Sequence, residues 1–349
     1  METKRKYEAA TPAAAILPTA VAPQRALRVV SRPERNPGIP LDLDLVRALR
    51  INRSAVERRA ATVPTRRTVK KEWQAAWLLR AITCMDLTTL QGDDTPTNVL
   101  RLCAKAQHPL RRDILEALGA TELGITVGAV CVYHAFVPVA VQALGGGGTG
   151  IPVAAVSTGF PAGLNPLPQR IDEITASVAA GASELDVVIT RAHALAGRWE
   201  ALYDEVRAFR EACGRALMKV ILGTGELATL ATVARASQVA MMAGADFIKT
   251  STGKEPVNAT LPVGVVMTRQ IRDYHERTGY AVGFKPAGGI RKAKQALEWL
   301  ILMKEELDDR WLSADLFRIG ASALLTDIER QLEHFVTGRY AAAHRHPMV

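Results

Sequence analysis

The chain has 349 residues, of which 48% are hydrophobic and 23% are charged, which suits one large globular domain or two small ones. It contains neither a run of 18 uncharged apolar residues nor a signal-peptide pattern, and we predict no membrane span. Its four scattered cysteines form no CxxC pair. The cysteine pattern therefore predicts no disulfide framework and favours a reducing, cytoplasmic location.

The net charge of +9 lies in the N-terminal part of the chain. Residues 1–70 carry 15 Lys and Arg against six Asp and Glu, and the rest of the chain carries 29 of each. The segment up to about Pro40 is rich in Pro and Ala and has no periodicity. We therefore predict that residues 1–65 form a basic extension, helical in part and largely without fixed structure. A solvated tail is the favoured interpretation. The alternative is that the extension binds RNA, an anionic lipid or an acidic partner, although nucleic acid is not the partner we expect.

Regular secondary structure is predicted from about residue 66 onward. Residues 70–80 have the apolar spacing of a helix, and short apolar strands then alternate with helical segments such as 229–243 and 261–278. The predicted strands are 81–87, 125–133, 152–157, 184–189, 217–222, 246–250, 281–285 and 316–320. Uniform strand–helix alternation predicts parallel pairing and a (β/α)8 barrel over residues 66–340, followed by a tail at 341–349. A doubly wound open sheet is disfavoured because no strand is followed by GxGxxG.

Two lysines end neighbouring predicted strands. Lys249 ends strand six and Lys285 ends strand seven. Burial of an ammonium costs hydration, and the neutral amine formed by deprotonation is a nucleophile. We interpret Lys249 as the nucleophile and Lys285 as the neighbouring cation that lowers its pKa. The alternative is a structural ion pair, which two adjacent like charges disfavour.

Two carboxylates are expected at the same end of the barrel. Asp186 lies in an apolar strand, where it either transfers protons or only pairs with a lysine. Asp86 closes the first strand and is the weaker candidate, because it could equally cap the following turn. Lys219 is interpreted as charge balance for Asp186. The histidines are isolated along the interior segments, so no metal site is predicted.

Small-residue loops after the last two strands predict a phosphate site. Gly288 and Gly289 follow strand seven, and Ser322 follows strand eight. Glycines let backbone N–H groups face an anion, and these loops are the usual phosphate position of a barrel. The expected ligand is therefore a small phosphorylated molecule.

Five motifs resemble the 2-deoxyribose-5-phosphate aldolase family, which are class I barrel aldolases. They are MDLTTL at 85–90, LDVV at 185–188, GTGEL at 223–227, FIKTSTGK at 247–254 and GFKPAGG at 283–289. The similarity extends over about 66–340, and the segments 66–79 and 336–342 resemble the longer animal-type members in particular. The resemblance implies reversible cleavage of 2-deoxy-D-ribose 5-phosphate to acetaldehyde and D-glyceraldehyde 3-phosphate, without a cofactor.

The resemblance also implies roles for individual residues. Lys249 matches the Schiff-base lysine, Lys285 the lysine that tunes it, Asp186 the proton-relay aspartate and Asp86 the supporting one. Five residues fall on phosphate-binding positions: Gly253, Lys254, Gly288, Gly289 and Ser322.

This chain departs from the family pattern at three places. His134 replaces a proline, Ala323 stands where many members carry a second hydroxyl residue, and Tyr340 is not at the terminus as the tyrosine of bacterial members often is. Two alternatives stay open. One is another lysine-dependent barrel aldolase for a different phosphorylated sugar, and the other is a non-enzymatic scaffold that uses the basic extension. A homo-oligomer fits either enzyme.

Overall fold

The computed structural model describes residues 34–66, 69–145, 150–342 and 345–346. A parallel eight-stranded sheet forms the centre of this part of the chain, and helices surround it. The predicted (β/α)8 barrel is therefore confirmed. None of the described helices is both long and apolar enough to span a membrane.

The strands are short and buried on both faces, as expected for a parallel sheet that is covered by helices. They are β1 (Met85–Thr88), β2 (Ala129–Tyr133), β3 (Val153–Ser157), β4 (Glu184–Val188), β5 (Leu217–Ile221), β6 (Phe247–Lys249), β7 (Gly283–Lys285) and β8 (Ile319–Ala321).

The described helices precede, connect and follow these strands. They are α1 (Leu43–Ala48), α2 (Arg53–Thr62), α3 (Lys71–Thr83), α4 (Pro96–Gln107), α5 (Arg112–Ala117), α6 (Val137–Gly145), α7 (Leu167–Ala179), α8 (Arg191–Leu195), α9 (Trp199–Cys213), α10 (Leu230–Met242), α11 (Leu261–Thr278), α12 (Ala293–Glu306) and α13 (Leu324–Thr337).

The sheet closes between its last two strands. Strands β1 to β7 pair in chain order, and β8 pairs with β1. Between β7 and β8, Phe284 N donates to Leu316 O at 2.9 Å, and Arg318 N donates to Phe284 O at 3.0 Å. Because every pairing is parallel, the carboxyl ends of all eight strands lie at one end of the barrel, where barrel enzymes build their sites.

Three strands begin three or more residues later than predicted. The segments expected at 81–87, 125–133 and 316–320 form strands only from Met85, Ala129 and Ile319. In the first case, α3 continues through Thr83, since Ala81 and Ile82 are fully buried as helix residues. Apolar runs of this length do not distinguish a buried helix end from a strand start.

Residues 34–65 contain two helices, which confirms the helical part of the predicted extension, and residues 1–33 lie outside the described part. Asp42 and Asn52 cap α1 and α2 by accepting hydrogen bonds from backbone N–H groups. Val46 and Val56 are buried in the main core. These helices form because their apolar residues pack on the barrel. The Pro- and Ala-rich composition of the segment does not predict this packing.

Candidate active site

Lys249 and Lys285 are direct partners in the β6–β7 register. Their side chains are 2% and 1% exposed, respectively. Both amines donate to the same oxygen, Asp186 Oδ2, at 2.7 Å each. Strand pairing therefore brings together two lysines that are 36 residues apart, as the sequence predicted.

Asp86 and Asp186 lie between the cations inside the barrel. Both are fully buried. Asp86 Oδ2 accepts from Lys285, and Asp186 Oδ1 accepts from Lys219 at 3.0 Å. Burial opposes ionisation, but the surrounding cations outweigh it and lower the pKa of both carboxyl groups. Both aspartates are therefore ionised at neutral pH. Lys219 also contacts Glu184, so it balances more than Asp186 alone.

The two lysines differ in their protonation. Burial lowers the pKa of Lys249; Asp186 raises it in part, and Lys285 lowers it further. Burial also opposes the charge of Lys285, but Asp186 and Asp86 outweigh it and its pKa is raised. The site therefore contains one amine biased toward the neutral form and one that stays cationic.

An apolar wall stands opposite the lysines. The buried side chains of Leu90, Cys131, Ala154 and Val156 form a cluster separate from the main core, and Tyr133 and Phe160 pack on it. The Phe160 ring centroid lies 5.9 Å from Lys249 Nζ. Burial raises the pKa of the Cys131 thiol, so it stays protonated, as expected of a packed thiol.

Phe247 lies two residues before Lys249 on β6 and pairs with Gly283 on β7. Its ring occupies the space that a side chain at Gly283 would need, since a Cβ there would lie 2.4 Å from ring carbons. Gly283, the first residue of the GFKPAGG motif, is therefore required by the packing of the Phe247 ring and not by a turn of the backbone.

The loops that follow β6 and β7 lie side by side. A Cβ built on Gly253 would lie 3.8 Å from Gly288 Cα. Gly253, Gly288 and Gly289 have φ of +87°, +82° and +79°, which favours glycine. Thr250 ties the loops together, because Ala287 N donates to its Oγ1 at 3.0 Å.

The β8 loop adjoins the β7 loop, because Gly320 N donates to Pro286 O at 3.0 Å. Ser322 and Ala323 follow β8, and both are exposed, as is Lys254. The predicted phosphate-binding positions thus lie on three neighbouring loops at the carboxyl end of the barrel.

Glu255 was not predicted as part of these loops. Its buried carboxylate accepts from Thr252 N at 3.0 Å and from Gly253 N at 3.1 Å. An internal carboxylate therefore already binds the Gly253 N–H, so a phosphate contact at Gly253 requires that this hydrogen bond be exchanged. A sequence signal exists, since an acidic residue two or three positions after small residues is typical of such local hydrogen bonding.

Arg318 and Glu184 were also missed. Arg318 Nη1 donates to Asp86 Oδ1 at 2.6 Å, and Nη2 donates to Glu184 Oε1 at 2.9 Å. Both residues could have been identified from the alternation of side chains along a strand. Glu184 lies two residues before Asp186 and so faces the same side of the sheet, and Arg318 lies within the eighth predicted strand.

The three departures lie apart from the lysines. His134 Nδ1 lies 2.9 Å from Ser177 Oγ, and the ring of Tyr340 stacks on that of His334 with centroids 4.1 Å apart. Ala323 immediately precedes α13. Among the described residues, no group of three or more His, Cys, Asp or Glu could hold a metal ion.

Lys249 and Lys285 end their strands as predicted, whereas Asp86 is the second residue of β1 and does not close it. A (β/α)8 barrel with a buried lysine pair at the carboxyl ends of two strands and carboxylates within two others has the architecture of a lysine-dependent barrel enzyme. Residues 80–306 match the family described as DeoC/LacD family aldolase. The chain belongs to this aldolase family, and it is therefore an enzyme of the lyase type.

Curated relatives extend the match over most of the chain. It is 61% identical over 313 residues to the deoxyribose-phosphate aldolase of Homo sapiens, covering 90% of this chain and 98% of that protein. It is 62% identical over 311 residues to that of Mus musculus, covering 89% and 98%.

Solved structures share the fold at lower identity. A Toxoplasma gondii ME49 structure aligns with a TM-score of 0.65 at 22% identity, covering 75% of this chain and 96% of that one. The tetrameric deoxyribose phosphate aldolase from Aeropyrum pernix aligns with a TM-score of 0.53 at 23% identity, covering 81% and 99%.

Proposed function

We propose that this protein reversibly cleaves 2-deoxy-D-ribose 5-phosphate to acetaldehyde and D-glyceraldehyde 3-phosphate through a Schiff base on Lys249. The observation that carries the proposal is the shared acceptor. Lys249 and Lys285 both donate to Asp186 Oδ2, while the pKa of one lysine is lowered and that of the other raised. This arrangement supplies a nucleophilic amine and a proton donor a few ångströms apart. The named activity of relatives above 60% identity supports the same substrate.

The reaction begins with attack of the neutral Lys249 amine on the C1 aldehyde of the open-chain sugar. The resulting carbinolamine takes up a proton from the Asp186–Lys285 pair, loses water and becomes an iminium ion. Transfer of the C3 hydroxyl proton to that pair through a water molecule then breaks the C2–C3 bond, with its electron pair moving toward the iminium nitrogen. D-glyceraldehyde 3-phosphate leaves, and an enamine stays on Lys249.

The second half of the cycle needs a proton at C2. Asp186 contacts both amines and Lys285 stays cationic, so this pair can pass a proton to the enamine through a water molecule. Addition of water to the renewed iminium releases acetaldehyde and regenerates the free amine. Lys285 also contacts Asp86, and this second carboxylate contact holds the lysine side chain in place.

The three neighbouring loops supply the proposed phosphate contacts. Backbone N–H groups at Gly288 and Gly289, the Lys254 ammonium and the Ser322 hydroxyl are the donors we assign to the substrate phosphate. Gly253 contributes after its N–H leaves Glu255.

Borohydride trapping with acetaldehyde tests the proposal. The expected result is a reduced ethyl adduct that mass mapping places on Lys249, together with faster cleavage of 2-deoxyribose 5-phosphate than of other phosphorylated sugars in a substrate panel. An adduct on another lysine contradicts the Lys249 assignment. Trapping at Lys249 with a different preferred sugar contradicts the substrate and favours the other aldolase.

We place this activity in the cytoplasm, in the breakdown of deoxyribose phosphate derived from nucleosides. The four cysteines are free and buried, which fits a reducing compartment. Subcellular fractionation tests the location. The homo-oligomer stays a prediction that light scattering of the purified protein tests, and a partner for residues 1–33 stays unassigned.

A further inference from the structure

The charged groups inside the barrel are unequal in number. Within the described chain they comprise three carboxylates, Asp86, Glu184 and Asp186, and four cationic groups, Lys219, Lys249, Lys285 and Arg318. Each of these side chains is at most 5% exposed. They form one continuous network of ion pairs. One positive charge is in excess when all seven are ionised, and a buried excess charge is costly.

The excess is relieved most easily at Lys249. Lys249 contacts one carboxylate, Lys285 contacts two and Lys219 contacts three. Arg318 also contacts two carboxylates, and a guanidinium does not deprotonate in proteins. Loss of a proton at Lys249 therefore balances three carboxylates with three cations and breaks the fewest ion pairs.

Other titratable groups that face the network do not change this balance. Burial raises the pKa of Cys84, beside Arg318, to about 11, and it also raises that of Cys131 on β2, so both thiols are neutral at pH 7. Lys249 is faced by Asp186 from β4 and by Lys285 from β7, and Lys219 on β5 binds the other carboxylate oxygen of Asp186. Arg318 is faced by Asp86 from β1 and Glu184 from β4.

We propose that Arg318 and Glu184, which contact neither lysine of the Schiff-base pair except through other residues, set the interior charge that controls the protonation of Lys249: the Arg318 cation favours the neutral amine, and the Glu184 carboxylate opposes it. They are positioning residues that act through Asp86, Asp186 and Lys285. The inference rests on the proposed function, because it explains which lysine is the nucleophile. It also predicts that loss of the positive charge of Arg318 and loss of the negative charge of Glu184 shift the pH–rate profile in opposite directions.

Variants that remove one of these charges test this prediction. R318M removes the excess cation, so the Lys249 pKa should rise and the pH–rate profile should move up by about one unit, as for buried charges about 10 Å apart. kcat/KM at pH 7 should then fall about tenfold and recover at higher pH. E184Q adds to the excess, so its profile should move down in pH.

The double variant R318M/E184Q should return the profile to within a few tenths of a unit of wild type. R318K, which keeps the charge but loses the fork geometry, should do the same. A uniform loss of rate without a shift, or shifts of both single variants in one direction, would overturn the proposal and leave a structural role. Should R318M not fold, E184Q and R318K decide the question.

A second readout does not depend on aldolase activity. Reductive methylation of the full-length protein by formaldehyde and cyanoborohydride modifies neutral amines, and mass mapping across pH reports the protonation of Lys249 directly. The expected midpoints follow the same order: E184Q lowest, wild type and double variant between, and R318M highest. If the midpoints move in this way but acetaldehyde is not trapped at Lys249, the proposed function fails and the charge balance stands. Equal midpoints in all variants overturn the charge balance alone.

Discussion

The barrel interior and the N-terminal extension both use ion pairs, but in different surroundings. Inside the barrel, Lys285 and Asp186 are at most 1% exposed and are 2.7 Å apart. Directly after the extension, Arg66 and Glu305 of α12 are also 2.7 Å apart, yet they are 34% and 29% exposed. Arg66 lowers the pKa of Glu305 too, but water screens the exposed pair, so the pair adds less to stability than its geometry suggests.

A buried amide anchors the start of the described extension. Asn36 Nδ2 donates to Met241 O at 2.9 Å and to Ala245 O at 3.0 Å, and Tyr274 Oη donates to Asn36 Oδ1 at 3.2 Å. Asn36 N also donates to Asp246 Oδ1 at 2.9 Å. Interior charges therefore direct chemistry, while a buried neutral group anchors the extension.

The largest expected effect is that of Lys249→Ala. Loss of the amine removes the nucleophile, so kcat/KM should fall by about four orders of magnitude or more, and borohydride trapping should vanish. The melting temperature should stay near that of wild type. Lys294→Ala, a surface control whose side chain is 76% exposed, should leave both unchanged. Persistent trapping in Lys249→Ala would contradict the assignment of the nucleophile.

Lys285→Met should act mainly through pKa. Its ammonium is one of the charges that lower the pKa of Lys249, so without it that pKa rises toward about 10.4 and the free-amine fraction falls about tenfold per unit. Activity at pH 7 should drop by orders of magnitude and recover in part at about pH 9–10. Recovery should be incomplete, because the proton relay is also lost. A pH–rate profile parallel to wild type would count against the tuning role.

Asn36→Ala should affect stability rather than catalysis. It leaves two carbonyls and the Tyr274 hydroxyl without their partner, which should cost about 2–4 kcal/mol in urea unfolding. kcat/KM should stay within about twofold, because the residue is remote from the lysines. Asn52→Ala, which removes only the exposed cap of α2, is the control, at about 1 kcal/mol. Equal costs for the two variants would show that Asn36 is not the anchor.

The smallest expected effect is that of Arg66→Ala. The pair with Glu305 is partly exposed, so its loss should destabilise the fold less than Asn52→Ala does in urea unfolding. A double-mutant cycle with Glu305→Ala measures the pair alone. A coupling energy as large as the effect of Asn36→Ala would mean that the surface pair, too, anchors the extension.

The barrel and its central residues could be predicted because they follow from local periodicity. Eight apolar runs, regularly spaced, define parallel strands, and closure of the barrel then brings together Lys249 and Lys285 at strand ends and Asp186 and Asp86 within their strands. Strand starts were less predictable. At residues 81–83 an apolar sequence suits both a helix end and a strand.

Contacts across the barrel could not be predicted. The Arg318–Glu184 pair joins β4 to a residue just before β8, which no sequence spacing indicates. The order of residues 34–65 likewise depends on distant partners, among them Met241 and Tyr274 for Asn36. Local composition describes a segment by itself, whereas burial depends on the surface that it meets.

The anchoring of Asn36 also bears on how this protein can be attached to a support. Asp246, the partner of the Asn36 backbone, directly precedes β6 and so lies at the amino end of the strands. Lys249 and the glycine loops lie at their carboxyl ends. A tether joined just ahead of Glu34 therefore starts on the side away from the entrance for sugar, and an enzyme immobilised there presents its open end to the solution.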